Sequence, residues 1–153
     1  DLVVFYKSHL LGSLEYRTPA VYHSTRSVLC RLDAVQTRFL KDIGIDEQTA
    51  LLRFHLAPLS ARRDMALLGL IHRTVLGKGP EQFRVFFKLE DQSMALQDLR
   101  KTTKSPLIKR SMFGLIAIYN MLPARICSAV SVPVFQKGLQ DFMITFAAAG
   151  FPQ

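Results

Sequence analysis

A chain of 153 residues that is 49% apolar and holds eleven Phe is long enough to bury a core and too apolar for disorder. Its 20 Lys and Arg against 12 Asp and Glu leave a net charge of +8, the balance of a protein that meets a polyanion. No uncharged apolar run reaches the roughly 20 residues of a membrane-spanning helix, and Cys30 and Cys127 stand in no CxxC or Cys/His cluster, which argues against a membrane span and a structural zinc site.

The pattern is helical from end to end, with no sustained strand alternation and no Asn-Gly or Asp-Gly hairpin signal. Residues 2–15 form the first predicted helix, with Val4, Leu10, Leu11 and Leu14 inward. Pro19 disfavours helix at Thr18 and breaks it. Ser24 then caps a long helix to Ile43, in which Val28, Leu32, Val35, Phe39 and Ile43 share one stripe. Arg31, Ala34, Arg38 and Lys41 line one flank of that stripe, and Gly44 stops the helix. Asp46 caps a short helix to Phe54, and Ser60 caps the next, which runs to Gly77.

Residues 90–105 are the most polar stretch and read as a loop or hinge. Ser105-Pro106 opens a helix with Pro in its first turn, and Asn120 and Pro123 close it. Ser131-Val-Pro starts the last helix, with Phe135, Leu139, Phe142 and Phe146 inward and Gly150 and Pro152 at its end. These elements predict an all-α fold, an irregular bundle of about six helices. The predicted organisation is a first helical half over 1–89, a polar loop over 90–105 and a basic helical pair over 106–153.

Two features of this pattern point to phosphate. The helix opening "LSARRDMALLGLIHRTVLG" places Arg62 and Arg63 in a first turn, where the helix dipole favours anions rather than cations. At 100° per residue Arg62, Ala66, Gly69 and Arg73 fall within about 60° on one face. That stripe suits either a phosphate backbone gripped by Arg62 and Arg73, or a neighbouring helix with those arginines paired to a carboxylate such as Glu47 or Asp64. The second feature is "LRKTTKSPLIKR", in which Arg100, Lys101, Lys104, Lys109 and Arg110 interleave with Thr and Ser. Such donors either position a phosphate backbone without reading bases or form a solvated basic loop kept for solubility. Residues 99–140 contain no acidic side chain, so the positive field extends beyond the cluster.

His9, His23, His55 and His72 have no metal-pair spacing, and His72, on an apolar helix, reads as an interior histidine. There is no G-x-S-x-G, no phosphate-binding glycine loop and no paired-Asp metal motif, so no catalytic residue, metal site or cofactor is expected in this chain.

Four phrases in order, "FYKSHLLGSLEYRTPAVYHS", "LDAVQTRFLKDIG", "LAPLSARRDMALLGLIHRTVLG" and "RSMFGLIAIYNMLPARICSAVSVPVFQKGLQ", cover nearly the whole chain. Together they resemble the region after the palm in non-LTR (LINE-type) retrotransposon reverse transcriptases. The family's arginine pair falls on Arg62 and Arg63, and its ending on Arg110, Tyr119, Asn120, Leu122, Pro123, Phe135 and Leu139. The resemblance implies a thumb or post-palm part of an RNA-directed DNA polymerase. Its implied partners are RNA, DNA or an RNA–DNA hybrid, together with an upstream palm domain that carries the catalytic aspartates. It further implies an intracellular place, nuclear or cytoplasmic. The chain departs from a whole polymerase in having no Tyr-x-Asp-Asp, and from many relatives in having no Cys/His knuckle. The ending motif also has a purely structural reading, in which Asn-x-x-Pro stops one helix and Ser-x-Pro-x-Phe anchors the next.

Overall fold

The structure, a computed structural model, describes residues 1–16, 18–84, 87–90, 93–96 and 111–149. It is all-α in class, with one small hairpin among the described residues. In chain order the elements are α1 (Leu2–Phe5), a π-helical stretch (Tyr6–Leu11), α2 (Gly12–Tyr16), α3 (Thr18–Val21), α4 (Arg26–Asp42), α5 (Glu47–Phe54), α6 (Leu59–Val75) and α7 (Glu81–Arg84). Then come β1 (Phe87–Glu90), β2 (Ser93–Leu96), a 3-10 turn (Met112–Leu115), α8 (Ile116–Met121), α9 (Ala124–Cys127) and α10 (Val132–Ala148). Two compact units are present, Asp1–Arg63 with Asp141–Gln153, and Asp64–Gln140. Their boundaries fall inside α6 and α10 rather than at the polar stretch 90–105.

The first unit has its core in Val3, Tyr6, Leu11, Leu40, Ala50, Leu56 and Leu59. The inward residues of the first helix differ from the expected set. Val4 and Leu10 are exposed, while Val3, Tyr6 and Leu11 are buried and Leu14 packs beside them. The cause is the π-helical stretch. Its i→i+5 bonding winds an extra residue into the turn, so Tyr6 and Leu11, five apart, share one face. The stripe expected on α4 holds in its second half, where Phe39 and Ile43 pack against the core, and fails in its first. Val28 and Val35 are exposed, and Gln36 and Leu40 are the buried residues.

The helix ends follow local chemistry with two corrections. Asp46 caps α5 as expected, accepting from Thr49 N at 2.8 Å and from Thr49 Oγ1 at 2.6 Å. Those two bonds to the carboxylate hold the Asp46 pKa below its ordinary value, the hydroxyl bond contributing most. Gly44 stops α4 at φ 70°, the left-handed conformation that glycine adopts without a Cβ clash. The cap of α4, however, is Thr25 rather than Ser24, and it makes no side-chain capping bond. Ser60 lies inside α6 instead of capping it, because the helix starts at Leu59 and the Pro58 carbonyl accepts from Arg62 N at 3.0 Å. Thr18 and Pro19 form a helical turn of their own in α3, Pro being tolerated in a first turn.

The second unit contains the hairpin, whose strands pair antiparallel with Phe87 opposite Leu96 and Glu90 opposite Ser93. These four-residue strands are too short for alternation to be legible, and the intervening Asp-Gln carries no hairpin signal. The helix expected from Ser105-Pro106 has its start outside the described residues. Its described part opens at Ser111, whose Oγ accepts from Phe113 N at 3.2 Å, and ends at Met121 before Pro123, as the sequence predicts. In α10, Phe135 and Leu139 are buried, whereas Phe146, in the other unit, is 49% exposed against expectation.

Candidate nucleic-acid interface

Arg62 and Arg63 both have partners within the first unit. Arg63 is buried and grips Asp33 with two parallel bonds, Nη1 to Oδ1 at 2.7 Å and Nη2 to Oδ2 at 3.0 Å. The fork of the guanidinium matches the carboxylate, which is the geometry of the stronger ion pairs. Arg62 points elsewhere on α6 and pairs through Nε with Glu15. The partners are thus Glu15 and Asp33, in place of the Glu47 and Asp64 expected for Arg62 or Arg73. These charges tie the start of α6 to α2 and α4, which accounts for cations in a first turn that the dipole does not favour.

The rest of the small-residue stripe belongs to the second unit. A Cβ on Gly69 would lie 2.6 Å from Gln136 Nε2 and 3.2 Å from Val132 Cγ1, so the first turn of α10 covers that position. Arg73 donates from Nε to the Lys78 carbonyl at 2.9 Å, and Lys78 N returns a bond to the Arg73 carbonyl at 3.0 Å. Gly77 at φ 73° permits this closure. Arg73 therefore closes the end of α6, and Gly69 is occupied by a neighbouring helix.

His72 is fully buried beside Tyr119 and Phe135. Its Nδ1 lies 2.9 Å from Tyr119 Oη and its Nε2 lies 2.8 Å from the Ala129 carbonyl. A carbonyl only accepts, so Nε2 carries the proton and donates, and Tyr119 donates to Nδ1. The ring stacks on Phe135 at 4.2 Å with 6° between planes. Desolvation lowers the His72 pKa, outweighing the Ala129 bond, and burial raises that of Tyr119. His72 is a satisfied interior histidine, as the sequence indicates. Tyr119, Phe135 and Leu139 of the ending motif are buried core residues, the first two packed on it.

The outer face of α4 has a different character. Arg31, Ala34, Arg38 and Lys41 are all exposed. Two shallow depressions lie on this face and share Ala34 and Arg38, one adding Arg31, Val35, Phe39 and Asp42, the other Cys30, Asp33, Thr37 and Lys41. Arg62 and Arg63 form ion pairs, whereas among the described residues no ion pair is formed by Arg31, Arg38 or Lys41. Arg100, Lys101, Lys104, Lys109 and Arg110 lie outside the described residues. Cys30 and Cys127 are free thiols, the first exposed and the second half-buried with its pKa raised by burial. Among the described residues no group of His, Cys, Asp and Glu could hold a metal ion, and no helix is long and apolar enough to cross a membrane.

Sequence reasoning missed Asp33 and Gln36 as the polar residues by which α4 is held. Gln36 Nε2 donates to the Ala57 carbonyl at 3.0 Å, and its Oε1 accepts from Tyr6 Oη at 3.4 Å. Their spacing of three on an amphipathic helix was the available signal, outweighed by the valines at 28 and 35. Comparison of the chain with family models, with curated proteins and with solved structures finds no match.

Proposed function

We propose that this chain is a non-catalytic, nucleic-acid-binding helical part of an RNA-directed DNA polymerase of the non-LTR retrotransposon kind. It grips template–primer or element RNA through phosphate contacts. The observation that carries this reading is the distribution of charge. Residues 99–153 hold seven Lys and Arg against the single carboxylate Asp141, while residues 1–98 are nearly balanced at thirteen against eleven. In the first unit, arginines at the start of α6 are matched by carboxylates. The run 99–140, which holds Arg100, Lys101, Lys104, Lys109 and Arg110, contains no acidic side chain, and such a one-sign stretch suits a polyanion. Arg62 and Arg73 are secondary contacts in this reading, since both already have intramolecular partners.

The test is anisotropy of a labelled RNA–DNA hybrid across a salt series, with helicity checked by circular dichroism. Binding is expected to weaken steeply with salt. Replacing all five cluster cations by Gln is expected to flatten the log–log slope by about 0.7 to 0.9 for each phosphate that is no longer neutralised. A helical chain that fails to bind at low salt overturns the reading.

That outcome would favour a second one, a protein-docking module seated on a polymerase core. Its supporting observation is the exposure of Met121, Val130 and Val134, at 76%, 78% and 54%, in the second unit.

A further inference from the structure

We infer that the outer face of α4 is a second phosphate-contact surface, on which Arg31, Arg38 and Lys41 engage the backbone of a nucleic-acid strand. The inference rests on the nucleic-acid function proposed for the chain and assigns to it a site in the first unit, apart in sequence from the cluster at 100–110. At 100° per residue Arg31, Ala34, Arg38 and Lys41 fall within an arc of about 80°. Arg31 and Arg38 stand two turns apart, about 10.5 Å along the axis, and Lys41 follows one turn later. Ala34, between the two arginines, leaves the space between their guanidinium groups open.

Two of the carboxylates beside this face have intramolecular partners. Asp33 is held by Arg63 in its two-bond pair, and Glu47 accepts from Thr37 Oγ1 at 3.4 Å. Asp42 borders the depression that holds Arg31 and Arg38, and the neutral Thr37 hydroxyl leaves the charge of Glu47 in place, so three cations stand against two carboxylates without a cationic partner. Buried Arg63 is the contrast. Where this fold uses an arginine for itself, it supplies a carboxylate in a matched fork, and it supplies none to Arg31 or Arg38.

The floor of the face supports the same ligand. Ala34 is exposed and Val35 is 45% exposed, so the cations flank an apolar strip. A nucleic-acid strand presents that alternation of charged phosphate and less polar sugar. Guanidinium forks match phosphate oxygens two at a time, and such contacts are independent of base sequence. Phe39, the aromatic ring that lines one depression, is half-buried and stacked on Tyr6, which limits the face to the backbone.

Cys30 lines the depression shared with Arg38 and Lys41 and is exposed, so it reports occupancy of the face directly. The first measurement uses the unaltered chain. Alkylation of Cys30 by uncharged iodoacetamide is followed by peptide mass, with and without a saturating RNA–DNA hybrid. Protection of Cys30 is expected, and this readout does not depend on any variant folding. The second measurement is the salt slope of the Arg31→Gln/Arg38→Gln/Lys41→Gln variant, which is expected to flatten by about 2 to 3 while the helical signal is retained.

If the unaltered chain binds the hybrid and the cluster variant loses slope, but Cys30 reacts at its free rate, the α4 site is overturned and the nucleic-acid reading stands. A flattened slope without Cys30 protection is a long-range field effect and also overturns the site. Equal protection by polyglutamate overturns it in favour of an acidic protein partner. Failure of the unaltered chain to bind any hybrid removes the site and the reading together.

Discussion

The two units bury polar groups in opposite ways. In the first, the interior reaches the surface through charge, with Arg63 gripping Asp33 in a fork and Arg62 pairing with Glu15. Gln36 completes that interior by bridging Tyr6 and Ala57. In the second, the buried polar groups His72, Thr74 and Ser111 are neutral, with His72 held between Tyr119 and Ala129 and stacked on Phe135. The difference follows from solvent access. The partners of Arg62 and Arg63 are about a third exposed, so both pairs retain some hydration. His72 is 0% exposed, and a charge there would carry a large desolvation penalty. A fold that closes completely over a titratable ring keeps it neutral and meets both nitrogens with neutral partners.

The sharpest break in this comparison is Phe135→Ala. Phe135 is fully buried between His72 and Tyr119, and its removal opens a cavity and unstacks the imidazole. A loss of about 3 to 5 kcal/mol is expected, read from urea denaturation. A loss under about 1 kcal/mol would show that the second unit does not depend on this stack.

Next come the adjacent arginines, which differ although they share one turn of α6. Arg63→Met removes the buried, two-bond partner of Asp33, and a loss of about 1 to 3 kcal/mol is expected. Arg62→Met removes a pair with side chains 22% and 32% exposed, and a loss of about 0 to 1 kcal/mol is expected. Equal effects in the same melts would erase the distinction between the two.

The smallest effect is the pH dependence, and it belongs to the second unit. Because burial lowers the folded pKa of His72, the unfolded chain takes up a proton near pH 6.5 that the folded unit refuses. The contribution of neutral His72 is therefore fully present above about pH 6.5 and is lost as pH falls from there toward the folded pKa. The urea midpoint of the unaltered chain is expected to decline over that window more steeply than that of His72→Phe. Identical slopes would mean that the ring titrates alike in both states.

The helices were legible where a signal was local. Asp46 and Gly44 mark a start and a stop by chemistry that involves a few neighbouring residues, and the structure uses both. The facing of helices was less legible, because apolar periodicity assumes a regular α-helix. The π-helical stretch Tyr6–Leu11 violates that assumption. In α4 the valines at 28 and 35 outweighed Asp33 and Gln36, which are held by partners 30 and 21 residues away along the chain.

For the candidate interface the division is the same. Sequence alone determined that the chain is all-α, that positive charge collects beyond residue 98, and that the ending motif suits a helix stop and a buried anchor. Composition and local capping chemistry require no knowledge of distant residues. Only the tertiary structure decided which arginines the fold consumes. Arg62, Arg63 and Arg73 meet Glu15, Asp33 and the Lys78 carbonyl, while Arg31, Arg38 and Lys41, of the same residue types, remain exposed on the outer face of α4. The physical reason is that a cation's role depends on the nearest available acceptor, and packing sets that distance.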